Sequence, residues 1–196
     1  MQFALALVVL LLAPAAAAAD WLITPFVGTT FSGSRTIVLA SPDAGSRKFT
    51  FGGAFGVLSD DVFGLEVSAT RTPRFFESDT ALNLARSSSI STLTGRVLAA
   101  VPQAITGYSL RPYLAGGLGL MHAASTDPLD IVSLDSNVLA LDLGGGAIGM
   151  LSDRSGLRFD LRHYRSLEPD PQAEALPDTS PRLSFWLASL GVVFRF

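Results

Sequence analysis

Apolar residues recur with a period of two in eight segments of this chain. The last segment shows this most clearly, because every second residue from Trp186 to Phe196 is apolar. A period of two is typical of a β-strand with one apolar face. Most segments have the ~10 residues that a tilted strand needs to cross a bilayer. The predicted strands are Trp21–Phe31, Lys48–Leu58, Val62–Arg71, Ser89–Val101, Arg111–Ala123, Asn137–Leu151, Gly156–Tyr164 and Arg182–Phe196.

The connections between these segments alternate between long and short. The long ones are Ser32–Arg47, Thr72–Ser88, Ala124–Ser136 and Arg165–Pro181, and the short ones are Ser59–Asp61, Pro102–Leu110 and Ser152–Ser155. An up-and-down meander of antiparallel strands places all long loops at one end and all short turns at the other. Outer-membrane barrels have this asymmetry. We therefore predict an all-β fold, an eight-stranded antiparallel up-and-down transmembrane β-barrel.

Two kinds of barrel fit this alternation, and the polar positions distinguish them. A secreted barrel of the lipocalin type has its apolar stripe inside, whereas a membrane barrel has it outside. The polar stripe here is mostly Gly, Ala, Ser and Thr with a few isolated charges. Small residues beside a few long polar ones suit the narrow interior of an eight-stranded barrel, whereas a surface in water needs more charge. We therefore expect the apolar stripe to face lipid, with Trp186, Phe194 and Phe196 in aromatic girdles.

The composition agrees with a membrane protein and excludes other classes. The chain has 196 residues, 48% of them hydrophobic and only 16% charged. Its net charge of −3 gives no electrostatic basis for nucleic-acid binding. The absence of cysteine excludes disulfides and thiolate chemistry.

Residues 1–19 have the composition of a secretory signal peptide. An apolar run, Phe3–Leu12, precedes Pro14, and Ala17 and Ala19 are the small residues expected before a cleavage site. The region before the run has no Lys or Arg, which a misassigned start codon or a weak n-region would explain. The alternative, an uncleaved anchor helix, would need a longer run. We expect a mature domain of residues 20–196, exported to the outer membrane of a Gram-negative bacterium.

Four stretches of the chain carry a family resemblance. DWLITPFVGTTF, RPYLAGGLGL (Arg111–Leu120) and GLRFDLRHYRS (Gly156–Ser166) are similar to the first, fifth and seventh strands of the eight-stranded outer-membrane β-barrel superfamily of opacity-type surface proteins. The terminal VVFRF resembles the signal by which the barrel-assembly machinery recognises its substrates. The resemblance implies this assembly role for Val192, Phe194 and Phe196. It implies no particular activity, since related barrels include adhesins, anchors, small-molecule channels and a few lipid enzymes.

The long polar residues of the small-residue stripe form a charge-balanced set of three acids and three arginines. Buried charges are tolerated when they are paired and hydrogen-bonded. We therefore expect a structural salt-bridge network that fills the lumen, with Glu66 paired to Arg158 or Arg162. A gated ion path or a ligand site is the alternative. The predicted lumen network consists of Glu66, Arg96, Tyr113, Asp142, Arg158, Asp160 and Arg162.

The predicted role is that of a structural or surface-exposed envelope protein, in adhesion or envelope integrity, without catalytic residues, metal or cofactor. Its expected surroundings are outer-membrane lipids and lipopolysaccharide, and we expect a monomer that binds no nucleic acid. The sequence does not identify an external ligand. A loop contact surface, if there is one, is expected at Arg71, Arg74, Phe75 and Phe76.

Two other functions fit the same fold. A narrow conduit for small hydrophobic molecules would need a lateral opening, beside Pro25 or in the glycine-rich sixth strand. The family resemblance also raises lipid A deacylation, which in some such barrels uses a His and a Ser two residues apart. Here Arg165 stands two residues after His163, and Ser166 alternates to the other face. Because a nucleophile and its base must lie within hydrogen-bond reach, we expect no enzymatic activity.

Overall fold

The chain folds into a closed barrel of eight antiparallel strands, which confirms the predicted fold class. The computed structural model describes residues 19–34, 47–60, 62–73, 87–106, 110–126, 133–167 and 184–196. Neighbouring strands along the chain pair with each other, and the first also pairs with the last. The strands are β1 (Ala19–Ser34), β2 (Lys48–Ser59), β3 (Phe63–Pro73), β4 (Ser87–Ala100), β5 (Arg111–Thr126), β6 (Ser133–Met150), β7 (Ser155–Ser166) and β8 (Ser184–Arg195).

Some boundaries differ from the sequence prediction. Strand β6 begins at Ser133 rather than Asn137, and β5 ends at Thr126 rather than Ala123. The two strands remain paired up to Thr126 and Ser133. Backbone hydrogen bonding thus continues past the point where apolar alternation ends, because alternation reports contact with lipid rather than the ladder itself. A four-residue helix, α1 (Gln103–Thr106), lies in a connection that was predicted to be a simple turn.

The barrel has two distinguishable ends. The turns β2–β3, β4–β5 and β6–β7 and the chain terminus at Phe196 lie at one end, which we call the short-turn end. The opposite end, the long-loop end, carries the four long connections, most of whose residues lie outside the described ranges. The predicted signal peptide also lies outside them, except for Ala19, the first residue of β1. No described residues form a helix long and apolar enough to cross a membrane.

The closure between β1 and β8 keeps one register across Pro25, which cannot donate to the ladder. Ile23 pairs with Phe194 on one side of it, and Phe26 pairs with Gly191 on the other. The register shifts only between Phe31 and Ser34. The β1–β8 pairing is interrupted at Thr24 and Pro25 and resumes in the same register, so the lateral opening that a conduit would need beside Pro25 is limited to a two-residue gap in the ladder.

Side chains alternate between the lumen and the outer wall along every strand. Phe51 and Phe159 point outward and are 46% and 51% exposed, whereas Glu66 and Asp160 point inward and are 5% and 3% exposed. The polarity is therefore inverted relative to a water-soluble protein, as expected for a wall in contact with hydrocarbon.

Aromatic residues mark both rims of the outer wall. Trp21, Phe63, Phe194 and Phe196 are exposed at the short-turn end. At the long-loop end the rings of Trp186 and His163 lie 4.8 Å apart. Such girdles are typical of the two membrane interfaces.

The lumen is layered along the barrel axis. Polar side chains fill its middle, and an apolar cluster lies toward each end. The upper cluster, toward the long-loop end, comprises Ile90, Met121, Val138, Ala140, Tyr164, Phe185 and Leu187. The lower cluster comprises Leu22, Leu58, Leu98, Ala100, Tyr113, Ala115, Ile148 and Val193.

The short-turn end is tied together by arginine. Arg111 donates from Nε to the Val101 carbonyl at 2.8 Å and from Nη2 to the Ser59 carbonyl at 2.7 Å, which joins two turns. Arg195 pairs with Asp20 at 3.2 Å. These contacts fix the strand ends beneath the lower cluster.

Candidate functional site

The candidate site is the polar middle layer of the lumen, and strand register brings its members together. Glu66 on β3 lies directly opposite Arg96 on β4. On β7, alternation sends Arg158, Asp160 and Arg162 inward as one row. All of these side chains are almost completely buried.

Glycines provide the space for these long side chains. Gly117 pairs with Arg96, and Gly146 pairs with Asp160. A Cβ atom at Gly117 would lie 2.5 Å from the Arg96 Cβ, and one at Gly146 would lie 2.6 Å from the Tyr113 hydroxyl. Glycine is therefore required where backbone and side chain approach so closely.

Glu66 is held by two arginines from opposite sides of the lumen. Arg96 donates from Nε to Glu66 Oε1 at 2.8 Å and also contacts the same oxygen through Nη2. Arg158 reaches across from β7 and donates from Nη1 to Glu66 Oε2. Arg162 lies farther away, with Nη2 at 3.8 Å from Oε1.

Asp160 is the second centre of the network. It accepts a hydrogen bond from the Tyr113 hydroxyl at 2.5 Å and pairs with Arg158 Nε at 2.8 Å. Arg158 also donates from Nε to the Tyr113 hydroxyl at 2.7 Å. Two further guanidinium groups contact Asp160 Oδ1, namely Arg96 through Nη2 at 3.3 Å and Arg162 through Nε at 3.5 Å.

Asp142 and Arg162 are held more loosely. The nearest ion-pair contact of Asp142 is to Arg96 Nη1, at 3.9 Å. Arg162 donates from Nη1 to the Ser68 hydroxyl at 3.0 Å and to the Tyr164 hydroxyl at 3.2 Å, and its guanidinium lies 5.2 Å from the centre of the Phe26 ring. All seven residues predicted for the lumen network thus lie in this one layer.

The predicted lumen network omitted the inward hydroxyl residues that lie between the charges and the long-loop end. Thr50 and Thr72 are joined at 2.7 Å, Ser68 and Thr94 at 2.9 Å, and Thr70 and Thr92 at 2.5 Å. The signal was present, because β3 and β4 carry hydroxyls at successive inward positions. Tyr164, fully buried beside Arg162, was also missed. We name the pairs Thr50–Thr72, Ser68–Thr94 and Thr70–Thr92 the hydroxyl ladder.

The other predicted site residues lie apart from the lumen. Val192 and Phe194 point outward on β8, and Phe196 follows the strand and exchanges backbone hydrogen bonds with Trp21 at 3.0 and 3.3 Å. Arg71 is exposed on the outer wall, two residues before the end of β3. Arg74, Phe75 and Phe76 lie outside the described residues.

The geometry separates His163 from Ser166. Ser166 points inward and is 3% exposed, whereas His163 packs on Trp186 at the outer wall. Residues on opposite faces of a strand cannot act as a nucleophile and its base. Within the described ranges no group of three or more His, Asp or Glu side chains is arranged to hold a metal ion.

Comparison with known proteins shows the same fold in outer-membrane barrels. No protein-family model and no curated protein matches this chain. Among solved structures it is similar to the N-terminal β-barrel domain of Pseudomonas aeruginosa OprF, with 16% identity, 90% of this chain and 97% of that chain covered, and a TM-score of 0.58. It is also similar to Neisserial surface protein A, with 14% identity, 91% and 99% coverage and a TM-score of 0.61.

A third similar structure is Ail, the attachment invasion locus protein of Yersinia pestis, with 12% identity, 91% and 98% coverage and a TM-score of 0.54. The chain thus has the fold of the eight-stranded outer-membrane β-barrels. Its apolar outer wall and its buried charges are those of a barrel whose wall contacts hydrocarbon.

Proposed function

We propose that the protein is a non-conducting envelope protein whose lumen is closed and whose long-loop end forms its working surface. The observation that carries this proposal is the layered lumen. Three acids and three arginines meet in the middle, and an apolar cluster lies on either side of them. An ion crossing the barrel would have to displace paired charges and pass two apolar layers. An eight-stranded barrel has little interior beyond what its side chains fill.

The proposed surface role follows from the closed lumen, because a filled interior leaves only the outside of the barrel for contacts with other molecules. If the interior is a structural core, external contacts fall to the long-loop end, where we place Arg71, Arg74, Phe75 and Phe76 as the first residues to substitute. The Ail structure, similar in fold, was determined with a heparin analogue. This supports a surface role for such barrels and does not identify a ligand for this one. If Arg71→Gln leaves cell-surface binding unchanged, Arg71 is not part of this contact surface.

Planar-bilayer recording tests the closed lumen. We expect no steady conductance from the inserted wild-type barrel. A gel that compares migration before and after boiling confirms that the inserted protein is folded, and cell fractionation independently tests the outer-membrane location. A steady, charge-selective conductance from folded protein would contradict the proposal.

Two parallel measurements address the rival functions. Uptake of a small hydrophobic solute by liposomes containing the barrel would indicate a conduit, which the unchanged β1–β8 register on both sides of Pro25 does not favour. A change in lipid A mass in cells that carry the protein would indicate an enzyme, which the separation of His163 from Ser166 does not favour. We expect neither change. The assembly role of Val192, Phe194 and Phe196 is a separate proposal, tested by membrane insertion after truncation of the last residue.

A further inference from the structure

At the long-loop end of the outer wall, the described ionisable side chains are all basic. Among strand residues whose side chains the structure describes, the outward ionisable groups are Arg71, His122, His163 and Arg165, all near the long-loop end. The carboxylates in the same set point into the lumen or lie at the short-turn end. This end of the wall therefore presents two arginines and two histidines to its surroundings and no described acid.

A groove lies on the same wall, nearer the middle of the barrel. It encloses about 580 Å³ and is lined by Phe55, Val67, Gly95, Val97, Gly116 and Leu118, among others. Strand register explains it, because Val67, Gly95 and Leu118 form one cross-strand row and Leu65, Val97 and Gly116 form the next. Each row has a glycine where a side chain would otherwise fill the space. A Cβ atom at Gly95 would meet nothing within 4 Å.

Arg71 stands above this groove on the same strands. Arg71, Ser91 and His122 form a cross-strand row, four residues farther toward the long-loop end than the row of Val67, Gly95 and Leu118. At about 3.3 Å per residue the two rows lie roughly 13 Å apart. Only apolar residues, Ala69, Leu93 and Leu120, point outward in the row between them.

Within the described part of the chain, no protein group occupies the Arg71 guanidinium. Arg71 is exposed and forms no ion pair or hydrogen bond with any other residue in the described part of the chain. An arginine at a membrane interface lays its apolar stem along the wall and keeps its charged head at the headgroup level. Its planar guanidinium is suited to bidentate contact with a phosphate.

We propose that this face binds one lipid A molecule of the outer leaflet, with a phosphate at Arg71 and one acyl chain in the glycine groove. The proposal rests on the outer-membrane role proposed above. The Arg71 guanidinium favours a ligand with an anionic headgroup. The apolar row of Ala69, Leu93 and Leu120 lies between this guanidinium and the groove, where an acyl chain would run. A second copy of the chain is disfavoured as occupant, because its described outer wall offers only basic groups at this level and like charges would meet.

Native mass spectrometry of the folded, detergent-solubilised barrel tests this site with purified lipid A as the probe. We expect a one-to-one adduct with the wild type. Arg71→Gln should weaken it about tenfold, since a charged hydrogen bond contributes roughly that much. The matched control is Arg165→Gln, which removes the other outward arginine, on β7, and should leave the adduct unchanged. Lipid A without its phosphates should bind more weakly and should not respond to Arg71→Gln.

The groove is tested separately with Gly95→Leu, whose Cβ would have open space and whose larger side chain would occupy the groove. We expect a severalfold loss of lipid A binding. The control is Gly53→Leu, at another outward glycine where an added Cβ has room, 4.0 Å from the Thr24 carbonyl oxygen and outside the groove lining. Migration before and after boiling verifies that each variant is folded.

Three outcomes would overturn the site. Equal loss with Arg71→Gln and Arg165→Gln would show a general charge effect, and competition by inorganic phosphate alone would show a simple anion site. A wild-type dimer that Gly95→Leu abolishes, without a lipid adduct, would assign the groove to a second copy. None of these results bears on conductance or fractionation, so the proposed function is judged independently.

Discussion

The two halves of the lumen wall use different kinds of contact. On β2–β4 the hydroxyl ladder joins neighbouring strands, for example Thr70 to Thr92 at 2.5 Å. On β7 the inward side chains include two long arginines that cross the lumen, since Arg158 reaches Glu66 and Arg162 reaches Ser68. The first set reinforces pairs that the sheet already makes. The second set joins strands that are not neighbours.

This difference suggests a division of roles. Hydroxyl pairs between adjacent strands support register, in addition to a backbone ladder that specifies it already. Contacts across the lumen fix the distance between opposite walls, which no backbone hydrogen bond can do. Loss of a cross-lumen contact should therefore cost far more than loss of a ladder contact.

The largest effect is expected for Glu66→Gln. The change keeps the shape of the side chain but leaves three buried arginines against two carboxylates. Breaking a buried ion pair from one side costs about 3–5 kcal/mol. We expect a loss of this order in the free energy of unfolding, measured by urea titration in lipid vesicles through the fluorescence of Trp21 and Trp186.

Two matched variants show whether the loss comes from charge imbalance in the lumen. Asp153→Asn removes one negative charge from an exposed turn and should change stability by less than about 0.5 kcal/mol. The double variant Glu66→Gln with Arg158→Gln restores the balance and should be more stable than Glu66→Gln alone. If Glu66→Gln and Asp153→Asn behave alike, the cross-lumen network does not stabilise the barrel.

An intermediate effect is expected for Tyr113→Phe. The Tyr113 hydroxyl donates to Asp160 and accepts from Arg158, so its removal leaves two charged partners one hydrogen bond short. Such a loss in a buried site costs about 1–3 kcal/mol. The same urea titration measures it, with Tyr108→Phe as the control outside the described strands. A cost for Tyr113→Phe above that of Glu66→Gln would place the phenol, not the carboxylate, at the centre of the network.

The sequence predicted the architecture well because lipid imposes a strict rule. A strand between hydrocarbon and a narrow lumen must alternate, so the number of strands, their faces and the inward charges could be read from the pattern. The boundaries of β5 and β6 could not, because the ladder continues where lipid contact ends. Helix α1 was missed because four residues are too few for a helical period to be detected.

The contacts inside the lumen were only partly predictable. Charge balance indicated that the acids and arginines would pair. The sequence limited the β7 partner of Glu66 to Arg158 or Arg162, and the structure pairs Glu66 with Arg158. The choice between the two could not be predicted, because local pattern does not encode distances across a closed barrel. The groove below Arg71 was missed for the same reason, since it forms only when Gly95 and Gly116 come together on adjacent strands in the folded register.

The smallest effect is expected for the hydroxyl ladder, where one double substitution separates it from the charged half. Thr70→Val alone removes one hydrogen bond between neutral hydroxyls and should cost about 0.5–1.5 kcal/mol. Thr70→Val with Thr92→Val removes both hydroxyls and keeps the shape, so the double variant should recover most of that loss. Urea titration of the wild type, the two single variants and the double variant gives the coupling energy directly. A double variant as unstable as Glu66→Gln would mean that the ladder holds the barrel together as strongly as the cross-lumen pairs do, and the proposed division between the two halves would then be wrong.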